Sequence, residues 1–268
     1  FDFAYPTFRW DSEASLKANV HCVIIGFSVG EPGNEVNCRL YDGDAVKSVP
    51  MINFYLIDAP NVFIESRKKP LCEVPPITKG CQPTDGGNLI IEDVDLESFI
   101  KQEPNAKPFI KKLVGAREFI NNKKRWCLWL VGVSPQQIRS MPLVMERVEK
   151  VRKMRLESTD ARTRLLADTP TVFRETYNPL SFVIVPSTSS ENREYIPMGF
   201  AGVDTISTNL NLIIPNATLY HFGILTSWPH MAWMRAICGR LKSDYRYSKD
   251  IVYNNYPWPE LSTEGTDA

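Results

Sequence analysis

The sequence predicts an α+β fold with mixed sheets and several helices. Three observations carry that reading. Short strand-like and helix-like runs are mixed without the regular alternation of βαβ units. One continuous apolar run, VHCVIIGF at residues 20–27, has strand character, and residues 134–166 repeat their apolar positions at helical spacing.

Taken in order, FDFAYPTFRW is aromatic and extended, and Ser12 is placed to cap a short helix over SEASLKANV. VHCVIIGFS then has the β-branched continuity of a strand covered on both faces. It falls far short of the roughly 20 apolar residues that cross a bilayer. A polar stretch follows, with hairpin-like turns at Pro32 and Gly33 and at Asp42 and Gly43. INFYLIDAPNVFIESR reads as two short strands around a turn at residues 58–61. KPLCEVPPITKGCQPTDGGNLII reads as an ordered loop ending in a strand. LESFIKQEP and KPFIKKLVGAREFIN are expected helices, and RWCLWLVG an expected strand. Within residues 134–166, Ile138, Met141, Leu143, Val144, Val148, Val151, Met154 and Leu156 mark the apolar face, and Arg147, Lys150, Arg152, Lys153 and Arg155 the opposite one. SFVIVPST, YIPMGF and NLNLIIP then read as strands. Residues 220–241 read as a helix interrupted at Trp228 and Pro229, and IVYNNYPWPE as an extended close.

With 43% hydrophobic and 23% charged residues, the 268-residue chain has the balance of a soluble globular protein and not of a disordered or repetitive one. It starts without Met or a signal-type leader, so it is expected to be a piece of a longer protein. Its six cysteines form no CxxC pair, which suits reduced thiols in a cytoplasmic protein, and three scattered histidines offer no zinc spacing. The net charge is zero but uneven: residues 1–60 carry −4, residues 107–125 carry +6, and residues 139–164 and 235–249 carry +4 each. Polyanion binding depends on a basic face and not on whole-chain charge, so nucleic acid remains a candidate partner.

No complete catalytic constellation is present. Methylation of a DNA amino group calls for an Asn-Pro-Pro-aromatic loop around a flipped base. The nearest string, Tyr177-Asn178-Pro179-Leu180, lacks the second proline and the aromatic. Gly26 to Gly30 has neither the spacing nor the helix of a dinucleotide loop. There is no nucleophile elbow and no HExxH.

The densest block is LYHFGILTSWPHMAWMRAICGRLKSDYRYSKDIVYNNYPWPE, where aromatics and cations interleave. Phe222, Ile224, Leu225, Met231, Met234 and Ile237 read as helical core. In GRLKSDYRYS, Arg240, Lys242, Asp244 and Arg246 alternate with other residues, so in an extended segment they share one face. Arg and Lys donate to guanine O6 and N7, and Asp accepts from the cytosine amino group.

This block resembles the target-recognition domain of MmeI-like (type IIL) restriction–modification enzymes and related DNA adenine methyltransferases. FRWDSEASLKANVHCVIIGFS, QPTDGGNLII, GAREFINNKKRWCLWL, RLLADTPTVF and IVPSTSSENREYIPMGF carry the likeness in the same order over residues 1–260. The resemblance implies that residues 1–48 end a methyltransferase domain, 49–260 form the recognition domain, and 261–268 lead to a helical region. It implies no catalytic residue, metal or cofactor here, S-adenosylmethionine in the parent, and double-stranded DNA and the upstream methyltransferase domain as partners. Lys242, Asp244 and Arg246 would read bases, with Arg240 on the same row and Asn209 at another reading position. Arg117, Lys123, Lys124, Arg125, Arg162, Arg164 and Arg193 are candidate phosphate contacts. Two other readings are a separate specificity subunit and a stand-alone hydrolase using His21, His221 or His230.

Overall fold

In the computed structural model, which describes residues 1–10, 20–29 and 37–260, the chain first builds a four-stranded sheet. β1 (Phe3–Trp10) pairs antiparallel with β2 (Val20–Gly26) and parallel with β3 (Cys38–Asp42), and β4 (Ala45–Val49) closes the far edge. Asp42 faces Ala45 across a loop whose first residue, Gly43, has φ +57, the positive φ a two-residue hairpin demands. The expected cap at Ser12 and the turn at Pro32 and Gly33 lie outside the described residues. β2 is a strand but not a covered one: Val23, Ile24 and Ile25 are 46%, 43% and 39% exposed. Three consecutive exposed residues leave both faces of the strand open. The small core of this sheet, Ala4, Cys38, Val49 and Ile52, gathers over β1, β3 and β4 instead.

Residues 51–67 hold no strand, contrary to expectation. Buried Asn53 accepts backbone hydrogen bonds from Tyr55 (2.9 Å) and Ile57 (3.3 Å) through Oδ1, and Leu56 turns at φ +58. Local side-chain-to-backbone bonds of this kind compete with strand pairing.

The Pro- and Gly-rich loop is ordered and leads through β5 (Thr78–Lys79) to β6 (Ile90–Glu92), followed by α1 (Asp93–Gln102). KPFIKKLVGAREFIN is not one helix. It forms a 3-10 turn (Pro104–Phe109), β7 (Ile110–Val114) and α2 (Ala116–Ile120), because IKKLV pairs with β8 (Arg125–Leu128). The long helical stretch is also broken, into α3 (Pro135–Arg139), α4 (Pro142–Leu156) and α5 (Ala161–Leu165). Pro142 has no N–H and fits only a first helical turn. The Asp160 carboxylate then accepts from the backbones of Arg162 and Thr163 to start α5.

The cationic face of α4 differs from its sequence reading as well. Arg155 is fully buried; its Nε donates to Thr84 O (2.9 Å), and its terminal nitrogens donate to the carbonyls of Leu166, Thr169, Val172 and Pro83. Arg147 lies over the Phe99 ring at 5.1 Å and donates to Asn88 O and Ile90 O. The i,i+3/i+4 pattern placed both on the polar side, but the loop at residues 83–90 and the segment at 166–172 cover that side.

Next come β9 (Ser181–Pro186), β10 (Thr188–Ser189), β11 (Gly199–Gly202), β12 (Thr205–Ser207) and β13 (Asn211–Pro215). YIPMGF is thus strand only from Gly199. α6 (Leu219–Leu225) and α7 (Trp228–Ile237) follow, split where Ser227 caps His230 N and Pro229 enters the first turn. Last are β14 (Gly239–Leu241) and β15 (Asp244–Arg246). The sheet β12-β7-β8-β6 packs with α1 and α4 around Leu89, Ile91, Leu113, Val144 and Val148. The sheet β11-β9-β13-β5 packs with α6, α7 and the C-terminal aromatics. Val114, Phe182, Ile184 and Ile213 join the two.

IVYNNYPWPE is structural. Val252, Tyr253, Tyr256 and Trp258 are core, Tyr253 donates to Pro75 O (2.7 Å), and Asn254 donates to Arg67 O (2.7 Å). No helix among the described residues is long and apolar enough to cross a membrane.

Candidate nucleic-acid interface

GRLKSDYRYS is a hairpin, not a single extended strand, and the register decides what its residues can reach. β14 and β15 pair antiparallel, Gly239 facing Arg246, Arg240 facing Tyr245 and Leu241 facing Asp244, and β10 adds a third strand with Thr188 facing Arg246 and Ser189 facing Tyr245. Directly paired residues point to the same face. One face therefore carries Asp244, Arg246, Leu241 and Thr188, and the other carries Arg240, Tyr245 and Ser189. Ser189 and Tyr245 are buried while Arg246 and Leu241 are exposed, so the Asp244–Arg246 face looks to solvent. Lys242 sits on the turn, exposed, at φ +57.

The expectation that Arg240 shares the row with Asp244 and Arg246 is corrected by this pairing. Its guanidinium lies 4.1 Å over the Tyr245 ring and donates to Ser243 O at 2.9 Å.

Asn209 lies on the turn between β12 and β13, its backbone N donating to Cys81 O. That turn adjoins the hairpin: Leu210 O accepts from Ser187 N, and Ser187 O accepts from Tyr247 N just beyond β15. It also adjoins the start of α2, since Thr208 N donates to Val114 O. Backbone links thus gather Asn209, the hairpin and the helix of Arg117 at one edge. Thr188 escaped the sequence reading, because only the register reveals that it faces Arg246.

The basic candidates separate. Arg117, Lys123 and Lys124 are exposed on α2 and the loop after it. Arg125 is half-buried and ion-paired with Glu118 at 3.3 Å, so its charge serves the protein. Arg162 and Arg164 lie on α5, which packs on α4; Arg164 donates to the carbonyls of Ser158 and Thr159. Arg193 sits in the loop after β10, half-buried.

Beneath the hairpin, α7 supplies His230, whose Nε2 lies 2.9 Å from the Tyr247 hydroxyl and whose ring meets Tyr256 edge-on at 4.5 Å. Burial pulls its pKa down to about 3, and burial pushes the Tyr247 hydroxyl well up. Both are neutral near pH 7, as a dry support for the strand above requires. Burial also raises the thiol of Cys81 to about 12, which makes it inert. Among the described residues no group of three or more His, Cys, Asp or Glu could hold a metal.

The family model for the MmeI target recognition domain matches residues 58–260. The chain belongs to the MmeI target recognition domain family. It is 44% identical over 263 residues to DNA methyltransferase A of Bacillus subtilis (strain 168), covering 98% of this chain and 30% of that protein. It is also similar to the solved structure of the type IIL restriction–modification enzyme MmeI in complex with DNA, with a TM-score of 0.91 and 41% identity over all of this chain and 36% of that one. The chain thus spans about a third of the length of these relatives.

Proposed function

We propose that this chain reads DNA sequence for an adenine methyltransferase of which it forms part. The observation that carries the reading is the hairpin sheet: a solvent face with Asp244 and Arg246 beside a turn bearing Lys242, on a chain similar throughout to an enzyme solved with DNA. A two-stranded ribbon fits the major groove, where Lys242 donates to guanine O6 and N7 and Asp244 accepts from the amino group of the paired cytosine. Arg246 and Asn209 read neighbouring pairs. Arg117, Lys123 and Lys124 neutralise phosphates and fix register.

In this reading residues 1–48 end the methyltransferase domain, and the open faces and edge of β2 are where that domain continues. Residues 49–260 form the recognition domain and 261–268 lead onward, in a cytoplasmic enzyme. The parent uses S-adenosylmethionine, but the residues described here do not fit that group. Gly26 is followed by coil at residues 27–29, and the Phe3 ring occupies the space beside its Cα. The cofactor site and the methyl-transfer step belong to the rest of the enzyme.

The test is to map methylated adenines in DNA from cells expressing the full-length enzyme and a variant with Lys242, Asp244 and Arg246 all changed to alanine. The reading expects one fixed motif for the parent and a relaxed motif for the variant. An identical motif in both would refute it.

A further inference from the structure

The hairpin contains a brace that the base-reading proposal does not use. We propose that Arg240 is a positioning residue, which locks the turn so that Lys242 and Asp244 address the same base pair. The proposal rests on the reading of those two residues as base contacts.

The geometry runs from the core outward. Tyr245 is buried among the aromatics packed on α6 and α7, so its ring is a fixed platform. Arg240 faces Tyr245 in the register, on the side away from Asp244 and Arg246. Its guanidinium covers that ring at 4.1 Å and donates to Ser243 O at 2.9 Å. One side chain thus ties β14 to the platform under β15 and to the loop between them. That loop needs a tie, because its first residue is Lys242 at φ +57, where glycine or asparagine is the natural occupant. A planar guanidinium can stack and donate at once, which an ammonium does less well. Both groups that Arg240 engages are protein groups, so the role proposed for it is exerted through the turn.

The experiment uses the full-length enzyme and Arg240→Met and Arg240→Lys. In DNA-free protein, hydrogen exchange of the peptide spanning residues 239–246 is expected to quicken in Arg240→Met and to recover in part in Arg240→Lys. The ratio of methylation rates between the preferred site and one with the Lys242–Asp244 base pair inverted is expected to fall about tenfold in Arg240→Met, near the lower end of what one bidentate contact discriminates. KM at the preferred site and the salt dependence of binding are expected to hold. Unchanged exchange overturns the brace. A changed preference at a different base pair makes Arg240 a reader, and a salt slope reduced by about one with discrimination intact makes it a phosphate contact; either overturns the proposal. Because the exchange arm is read without DNA, it fails separately from the base-reading proposal, which the Lys242 and Asp244 variants decide.

Discussion

Arg155 shows how a single side chain can hold loops together. Its guanidinium donates to five carbonyls from residues 83–84 and 166–172 and so ties the two segments together. Each buried carbonyl left unpaired costs about 1–3 kcal/mol. Arg155→Met is therefore expected to destabilise the protein by about 3 kcal/mol or more, measured by urea unfolding, and a loss under about 1 kcal/mol would contradict this role. His230 gives a pH signature. Its folded pKa, about 3, lies below the unfolded value, so its neutral form favours the fold above the unfolded pKa, and that stability is lost as pH falls toward the folded one. Between pH 7 and pH 5 the loss attributable to this residue is about 2 kcal/mol. His230→Gln is expected to flatten the stability profile by that amount, and an unchanged profile would show that another group dominates. Neither residue was legible in these roles from the sequence. Arg155 fell on a polar helix face, and His230 was a lone histidine whose partner, Tyr247, lies 17 positions on.

At the scale of elements, runs decided by local chemistry were legible. The strands at VHCVIIG, RWCL and SFVIVP, the hairpin at Gly43 and the break at Trp228 and Pro229 all follow from pattern and turn residues. What failed depended on tertiary partners. IKKLV has helical spacing but pairs with β8 and β12, and residues 51–57 fold around the Asn53 side chain. GRLKSDYRYS lacks the Asn-Gly or Asp-Gly signal of a tight hairpin, so alternation alone suggested one strand. The turn is made with Lys242 in the left-handed region, a strain of about 1–3 kcal/mol for a residue with a side chain. Lys242→Gly is thus expected to leave the thermal midpoint unchanged or higher while relaxing the recognised motif. A clear loss of stability would show that Lys242 is held there by folding and not by function.

For the molecule as a whole, the described residues build a small core under the first sheet and two larger cores that meet, and the candidate interface lies where loops from the larger two come together. The first core, under β1, β3 and β4, leaves β2 open; the other two join through Val114, Phe182, Ile184 and Ile213. A whole-chain charge of zero conceals exposed cations at Arg117, Lys123 and Lys124, while Arg125 and Arg164 are occupied internally. Lys123→Ala with Lys124→Ala is expected to weaken binding of the full-length enzyme to all duplexes and to lower the salt slope by up to about 2, whereas Arg164→Ala is expected to leave the slope alone. The central claim is that Lys242 and Asp244 divide one base pair between them. It is tested most directly by exchanging them, Lys242→Asp with Asp244→Lys, in the full-length enzyme and mapping methylated adenines genome-wide. The account predicts a motif in which one G·C pair is inverted to C·G and every other position is kept; a motif identical to the parent's would contradict it.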